Sequence, residues 1–247
     1  MQIEAEGAYL NYEINGESSS PALVLWHGAG CTLRMWDRAL SSLEDKFFCI
    51  AFDIRGAGQS AAAPEPLNQF TFEQYSKDIN LILTELNIER AHLWSMAWGT
   101  RAAIAYSSIN PEKVISATFS DASIGVADVL AQKEGTKKAL TIQDKAGIAR
   151  FGLPRGWNEH LNMETAQLSL SAAGKFNLED AIDDLKMPIL IMTGDLDPNL
   201  KSSKDISQRL PSAKLKILEG VGHGSVLQRP DLTVDNFIEF HSTLGLS

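Results

Sequence analysis

Short runs of apolar residues alternate along this chain with longer stretches in which apolar positions recur every three or four residues. Ala22–Trp26, Phe47–Phe52, Ala91–Met96, Val114–Phe119, Ile189–Thr193 and Lys214–Leu218 read as strands, most of them too continuously apolar to have a solvated face. Gln2–Ala5 and Tyr9–Ile14 read as a hairpin around Gly7. Between the strands lie helical periods near Met35–Leu43, from Thr71 to about Leu86, at Trp98–Ser108 and at Leu232–Leu244. Thr71 followed by Gln74 has the spacing of a capping box, and Tyr75, Ile79, Ile82 and Leu86 supply the buried stripe. Strands separated by helices predict an α/β architecture, a mostly parallel eight-stranded sheet flanked by helices on both faces. Sites in such sheets gather beyond the carboxyl ends of the strands.

Residues 122–176 break that rhythm. This stretch has no strand signal and is interrupted at Gly135, Gly147, Gly152-Leu153-Pro154 and Gly174. It is expected to be a small helical cap inserted into a core of residues 1–121 and 177–247. Leu130, Ile148, Phe151, Leu153, Trp157 and Leu161 are the expected apolar wall of a pocket beneath it.

Composition narrows the class. The chain has 247 residues, 44% of them hydrophobic, enough for one large core. A net charge of −9 argues against nucleic acid or an anionic membrane as a partner. No secretory leader or membrane-length apolar run is legible, and Cys31 and Cys49 form neither a disulfide framework nor a metal spacing. A cytoplasmic setting is expected, with no metal and no cofactor; the oligomeric state is left open.

The chemistry concentrates at Leu93-Trp94-Ser95-Met96-Ala97-Trp98-Gly99-Thr100. A strand that becomes a helix without a loop strains the turning residue and demands small residues two positions to either side. Ser95 and Gly99 are small, so the turning residue is Ala97; with Ser95 at the turn, Leu93 would crowd it. This is the scaffold of a serine nucleophile without the hydroxyl.

Four further motifs fall at strand ends. His27-Gly28-Ala29-Gly30 follows the first buried strand, where glycines let backbone N–H groups face an open site. Asp53-Ile54-Arg55-Gly56-Ala57-Gly58-Gln59-Ser60 reads as a structural turn held by an Asp–Arg interaction. Gly194-Asp195-Leu196-Asp197-Pro198 offers a carboxylate, and Gly220-Val221-Gly222-His223-Gly224 an imidazole. An acid and a histidine on neighbouring strand-end loops can converge on the elbow, the acid orienting the ring.

Over nearly its whole length the chain thus resembles the α/β-hydrolase-fold family. The family's oxyanion segment resembles His27-Gly28-Ala29, and its D-x-R-G-x-G-x-S segment matches Asp53 to Ser60. Its acid motif implies Asp197, with Asp195 as runner-up, and its terminal G-H implies His223 as base. Ser95 replaces the motif's first glycine, and Ala97 replaces its nucleophile. The resemblance implies a Ser-His-Asp hydrolase of a carboxylic ester, thioester or lactone, with the N–H groups of Ala29 and Trp98 as oxyanion hole. Its short cap is similar to those of enol-lactonase-like hydrolases.

Three readings explain Ala97. It is a Ser→Ala replacement that disables an otherwise intact hydrolase, or the mark of a natural ligand-binding protein. The third is a lyase or cofactor-free oxygenase using the His–Asp pair. A halide-releasing enzyme would need a carboxylate at position 97. Trp98-Gly99-Thr100 also resembles the elbow of proline iminopeptidases, a minor alternative. His27, Gly28, Arg34 and Trp157 are the candidate substrate contacts. Arg34 would meet a substrate carboxylate or, more plainly, a salt-bridge partner. Cys31 reads as a buried thiol, and His92, His160 and His241 show no partner pattern.

Overall fold

The computed structural model describes residues 1–245. Its strands are β1 (Gln2–Ala5), β2 (Ala8–Asn15), β3 (Ala22–Trp26), β4 (Phe48–Phe52), β5 (Ala61–Ala62), β6 (Ala91–Met96), β7 (Val114–Ser120), β8 (Ile189–Gly194) and β9 (Ala213–Leu218). Eight of them form the continuous sheet in the order β1-β2-β4-β3-β6-β7-β8-β9, and two-residue β5 pairs with β2. Pairing is antiparallel from β1 to β4 and parallel from β4 to β9. The helices are α1 (Asp37–Leu43), α2 (Phe72–Glu85), α3 (Trp98–Ile109), α4 (Val129–Lys145), α5 (Met163–Ser169), α6 (Leu178–Asp183), α7 (Leu200–Arg209), α8 (Ser225–Gln228) and α9 (Pro230–Ser242).

The apolar runs are continuous because alternate residues serve two cores. Val24, Trp26, Ile50 and Leu93 join one cluster with Ile79 and Ile82 of α2 and Ala102 and Tyr106 of α3. Leu23, Leu25, Ala51 and Trp94 join the other with Leu40 of α1 and Phe237 of α9. Trp94 stacks on Phe237 at 4.4 Å between centroids, nearly parallel. A one-residue slip of a central strand would exchange its two faces, so register is tightly specified.

Local signals act where expected, with two differences. Thr71 accepts the N–H of Gln74, but the Gln74 side chain reaches Asp78 instead of returning to the cap. The expected Asp53–Arg55 interaction is replaced by two separate ones. Arg55 is fully buried and grips Asp78 of α2 through two bonds of 2.9 and 2.7 Å. Asp53 instead accepts N–H groups from Leu33 and Gln59 and the amide of Asn11. Gly58 is required there, because a side chain would overlap the Asp53 carboxylate.

The segment between β7 and β8 contains helix and loop and no strand. Its second half is tied to the core: Thr165 donates to Gly56 O, and the Tyr75 hydroxyl to Ser169 O. His160, expected to lack partners, accepts the N–H of Gly58 at 2.8 Å, and its other ring nitrogen lies 3.3 Å from Gly30 O. Among the described residues, no helix is long and apolar enough to cross a membrane.

Candidate active site

Ala97 sits between β6 and α3 with φ 52° and ψ −116°, a left-handed conformation that costs an L-residue on the order of 1–3 kcal/mol. Its N–H is held by Ser120 O on β7, and its carbonyl accepts from the N–H and hydroxyl of Thr100. The small flankers have a steric cause. A side chain at Gly99 would overlap the carbonyl oxygens of His27 and Trp26, so β3 can lie against the start of α3 only if residue 99 is glycine. Ser95 is fully buried and donates to Thr118 O.

The β3 loop closes on the same point. A Cβ on Gly28 would stand 3.0 Å from the Met96 methyl and 3.7 Å from Ala97 Cβ. Trp98, the first residue of α3, has an N–H with no acceptor within its helix. Among the described residues neither it nor the N–H of Ala29 finds a protein acceptor. Both residues line one cavity with Ala97.

His223 comes to this cavity from the loop after β9. Its Nδ1 lies 3.0 and 3.2 Å from the two carboxylate oxygens of Asp197, which stands on the loop after β8. Asp195 makes no hydrogen bond to the ring; it accepts the N–H groups of Gly220 and Val221 and so braces the histidine loop. Burial of the ring opposes its charge. The hydrogen bond to Asp197 and the nearby Asp121 and Asp197 carboxylates outweigh that, holding its pKa above the ordinary histidine value.

Asp121 is the neighbour that the sequence reading missed. It follows β7 directly, has no exposed surface, and adopts φ 56°. One carboxylate oxygen accepts the N–H groups of Gly224 and Ser225, the residues after His223, and the other has no hydrogen-bond partner. Burial and the charge of Asp197 push its pKa well up. The only available signal was its place at a strand end. One ligating atom each from Asp121, Asp197 and His223 lie within 4.8 Å of one another, the one such set among the described residues. Hydrogen bonds engage those groups: Asp197 also accepts the N–H of Asn199.

The cavity has a volume of about 890 Å³, within the range of small-molecule sites. Half its lining comes from residues 122–176, chiefly one face of α4, and Met96, Trp98, Trp157 and Leu227 form apolar wall. The expected wall is otherwise wrong. Leu130, Phe151, Leu153 and Leu161 are 39–74% exposed and, with Ile148, do not line the cavity. Positions 129, 133, 136, 137 and 140 of α4 line the cavity, whereas Leu130, in the first turn of the helix, is left exposed.

Two candidate contacts are placed elsewhere. His27 is buried outside the cavity lining; its Nε2 accepts the N–H of Ile54, and Nδ1 bonds Gly28 O, joining two strand-end loops. Burial lowers its pKa, keeping the ring neutral. Arg34 lines a separate polar cleft, paired with Glu13 and Asp37. Gly28 acts through its close approach to Met96, and Trp157 lies in the cavity wall, its carbonyl accepting the N–H of Thr32. Cys31 also lines the cavity, but burial pushes its thiol pKa up to about 12, so it stays protonated.

Comparisons with known proteins agree with this architecture. The chain is 22% identical to 3-oxoadipate enol-lactonase 1 of Acinetobacter baylyi, over 97% of this chain and 96% of that protein. It is 26% identical to a proline iminopeptidase of Lactobacillus helveticus, over 93% and 94%. The crystal structure of the enol-lactonase from Burkholderia xenovorans LB400 superposes with a TM-score of 0.80 at 20% identity, covering 98% of this chain and all of that one. The family model for the alpha/beta hydrolase fold matches residues 21–162, more than half of the sequence. With that match, the sheet order and the β6–α3 elbow, the chain belongs to the α/β-hydrolase fold family.

Proposed function

We propose that this cleft is the active site of a hydrolase of carboxylic esters, thioesters or lactones, held in a non-turning-over state by Ala97. The observation that carries the reading is His223, held by the buried Asp197 at 3.0 Å and lining the same cavity as a strained, helix-opening residue 97. With serine at 97, the hydroxyl would attack the substrate carbonyl while His223 Nε2 takes its proton. Asp197 holds Nδ1–H and stabilises the imidazolium. The free N–H groups of Ala29 and Trp98 would receive the developing oxyanion. His223 would return the proton to the leaving group and then activate the water that releases the acid. Residues 122–176 serve as the cap that shapes the acyl pocket. The relatives named as enol-lactonases favour a lactone or small ester over the peptide substrate of an iminopeptidase.

As it stands, the chain binds such molecules without cleaving them, since loss of a triad serine costs on the order of 10⁶ in kcat in a well-studied protease. The test is Ala97→Ser. The serine protein is expected to react with a fluorophosphonate at position 97 and to hydrolyse p-nitrophenyl butyrate, and His223→Ala in that background to abolish both. A folded Ala97→Ser protein inert to the phosphonate and to a panel of esters, thioesters and lactones would overturn the reading in favour of a ligand-binding protein.

A further inference from the structure

The cavity beside His223 is lined by charge of one sign. Among the described residues, Arg101, Lys133, Lys137 and Arg150 line it, and no aspartate or glutamate does, in a chain whose net charge is −9. Two of the four cations are already engaged. Arg101 donates to the carbonyls of Ser123 and Gly125, and Arg150 pairs with Asp144. Lys133 and Lys137 make no ion pair among the described residues. One helical turn apart, they share the inward face of α4 with Thr136 and Leu140.

That face is fixed relative to the reaction centre. A side chain at Gly135 would overlap Leu196 O, on the loop that carries Asp197. A Cβ at Gly222 would stand 2.7 Å from Thr136 Cα, and the Thr136 hydroxyl donates to His223 O at 3.0 Å. The helix therefore touches both loops of the His–Asp pair within one turn of the two lysines. At about 1.5 Å of rise per residue, Lys133 and Lys137 lie only about 4.5 and 1.5 Å along the axis from that contact. Met96, Leu140, Trp157 and Leu227 supply apolar wall in the same cavity.

We propose that the cavity selects molecules that join a reactive carbonyl, through a short apolar body, to a free carboxylate, and that Lys133 and Lys137 recognise that carboxylate. This rests on the cavity being the substrate site. Both lysines are exposed, so their attraction is partly screened: the expected preference is about tenfold at low salt, and it shrinks as ionic strength rises.

The test is titration calorimetry of the Ala97 chain with monomethyl suberate, which carries one free carboxylate, against neutral dimethyl suberate. The half-ester is expected to bind about tenfold more tightly at low salt. The ratio should fall to about one in Lys133→Gln/Lys137→Gln, and Lys133→Glu/Lys137→Glu should reverse it, with circular dichroism checking the fold of each variant. Equal binding of the two esters, binding of neither, or a preference that survives loss of both lysines would overturn the inference. A preference lost with the lysines, in a chain whose Ala97→Ser form ignores every ester, would uphold this inference and sink the hydrolase reading. Hydrolysis of p-nitrophenyl butyrate by the serine form with no half-ester preference would do the reverse.

Discussion

The carboxylate of Asp121 accepts the backbone N–H of Ser225 at 2.7 Å, so a strand-end acid on β7 anchors the loop that presents His223 from β9. The same carboxylate lies close enough to the ring to help raise the His223 pKa. Asparagine keeps the amide-accepting oxygen but removes the charge. Asp121→Asn is therefore expected to lower the titration midpoint of His223, followed by NMR of the ring protons in the Ala97 chain. In an active serine form, the acid limb of kcat/KM would move to lower pH, because the neutral base would persist further into acid. Asp121→Ala would in addition leave two buried amides without an acceptor, at a cost of about 1–3 kcal/mol each. An unmoved midpoint in Asp121→Asn would show that the acid is only a loop anchor.

Gly135 reverses an ordinary expectation. Glycine inside an exposed helix is usually destabilising by about 1 kcal/mol relative to alanine, so Gly→Ala normally stabilises. Here the added methyl would overlap Leu196 O, backbone of the loop before Asp197. Gly135→Ala is expected to lower the melting temperature and to speed hydrogen exchange in α4 and the Asp197 and His223 loops, while the central strands stay protected. A rise in melting temperature would mean that α4 can lift off its seat without consequence.

The far end of the sheet sets acid stability. His92 and His241 are buried with ring centroids 4.5 Å apart, and Phe47 and Phe237 close around His241. Burial, with Arg90 beside His92 and with His92 beside His241, lowers their pKa values to about 4 and about 3. In the unfolded chain both titrate near 6.5, so as pH falls below that value the unfolded state takes up protons that the folded state refuses. Stability is therefore complete above about pH 6.5 and falls progressively toward pH 4, by on the order of 2 kcal/mol per ring at pH 5. Urea midpoints between pH 7.5 and pH 5 check this, and His241→Phe should flatten the slope. A slope unchanged by that substitution would place the acid sensitivity elsewhere.

Much of this molecule is decided locally. The two-sided apolar runs dictate strands that need cover on both faces, and the eight strands read from the sequence are the eight of the continuous sheet. A strand followed at once by a helix forces residue 97 to turn, and the φ of 52° at Ala97 is the physical consequence of that local pattern. Strand-end position marked a carboxylate within Gly194–Pro198 and the imidazole of His223, and the resemblance to the α/β-hydrolase family singled out Asp197 over Asp195.

What the tertiary structure alone decided are contacts between segments far apart in sequence. Asp121 reads as one more residue after a strand until the loop of Gly224 and Ser225, more than a hundred positions later, is folded onto it. Arg55 prefers Asp78 to Asp53 because α2 brings a carboxylate to its buried fork, whereas Asp53 is consumed by backbone amides. Arg34 turns to Glu13 on β2 and away from the cavity. The cavity wall was misjudged for the same reason. Leu130, Phe151, Leu153 and Leu161 are apolar, but which face of a short helix or loop meets the sheet depends on where Gly135 and Gly222 allow α4 to sit. Periodicity shows that a face exists; only close packing with the rest of the chain chooses its partner.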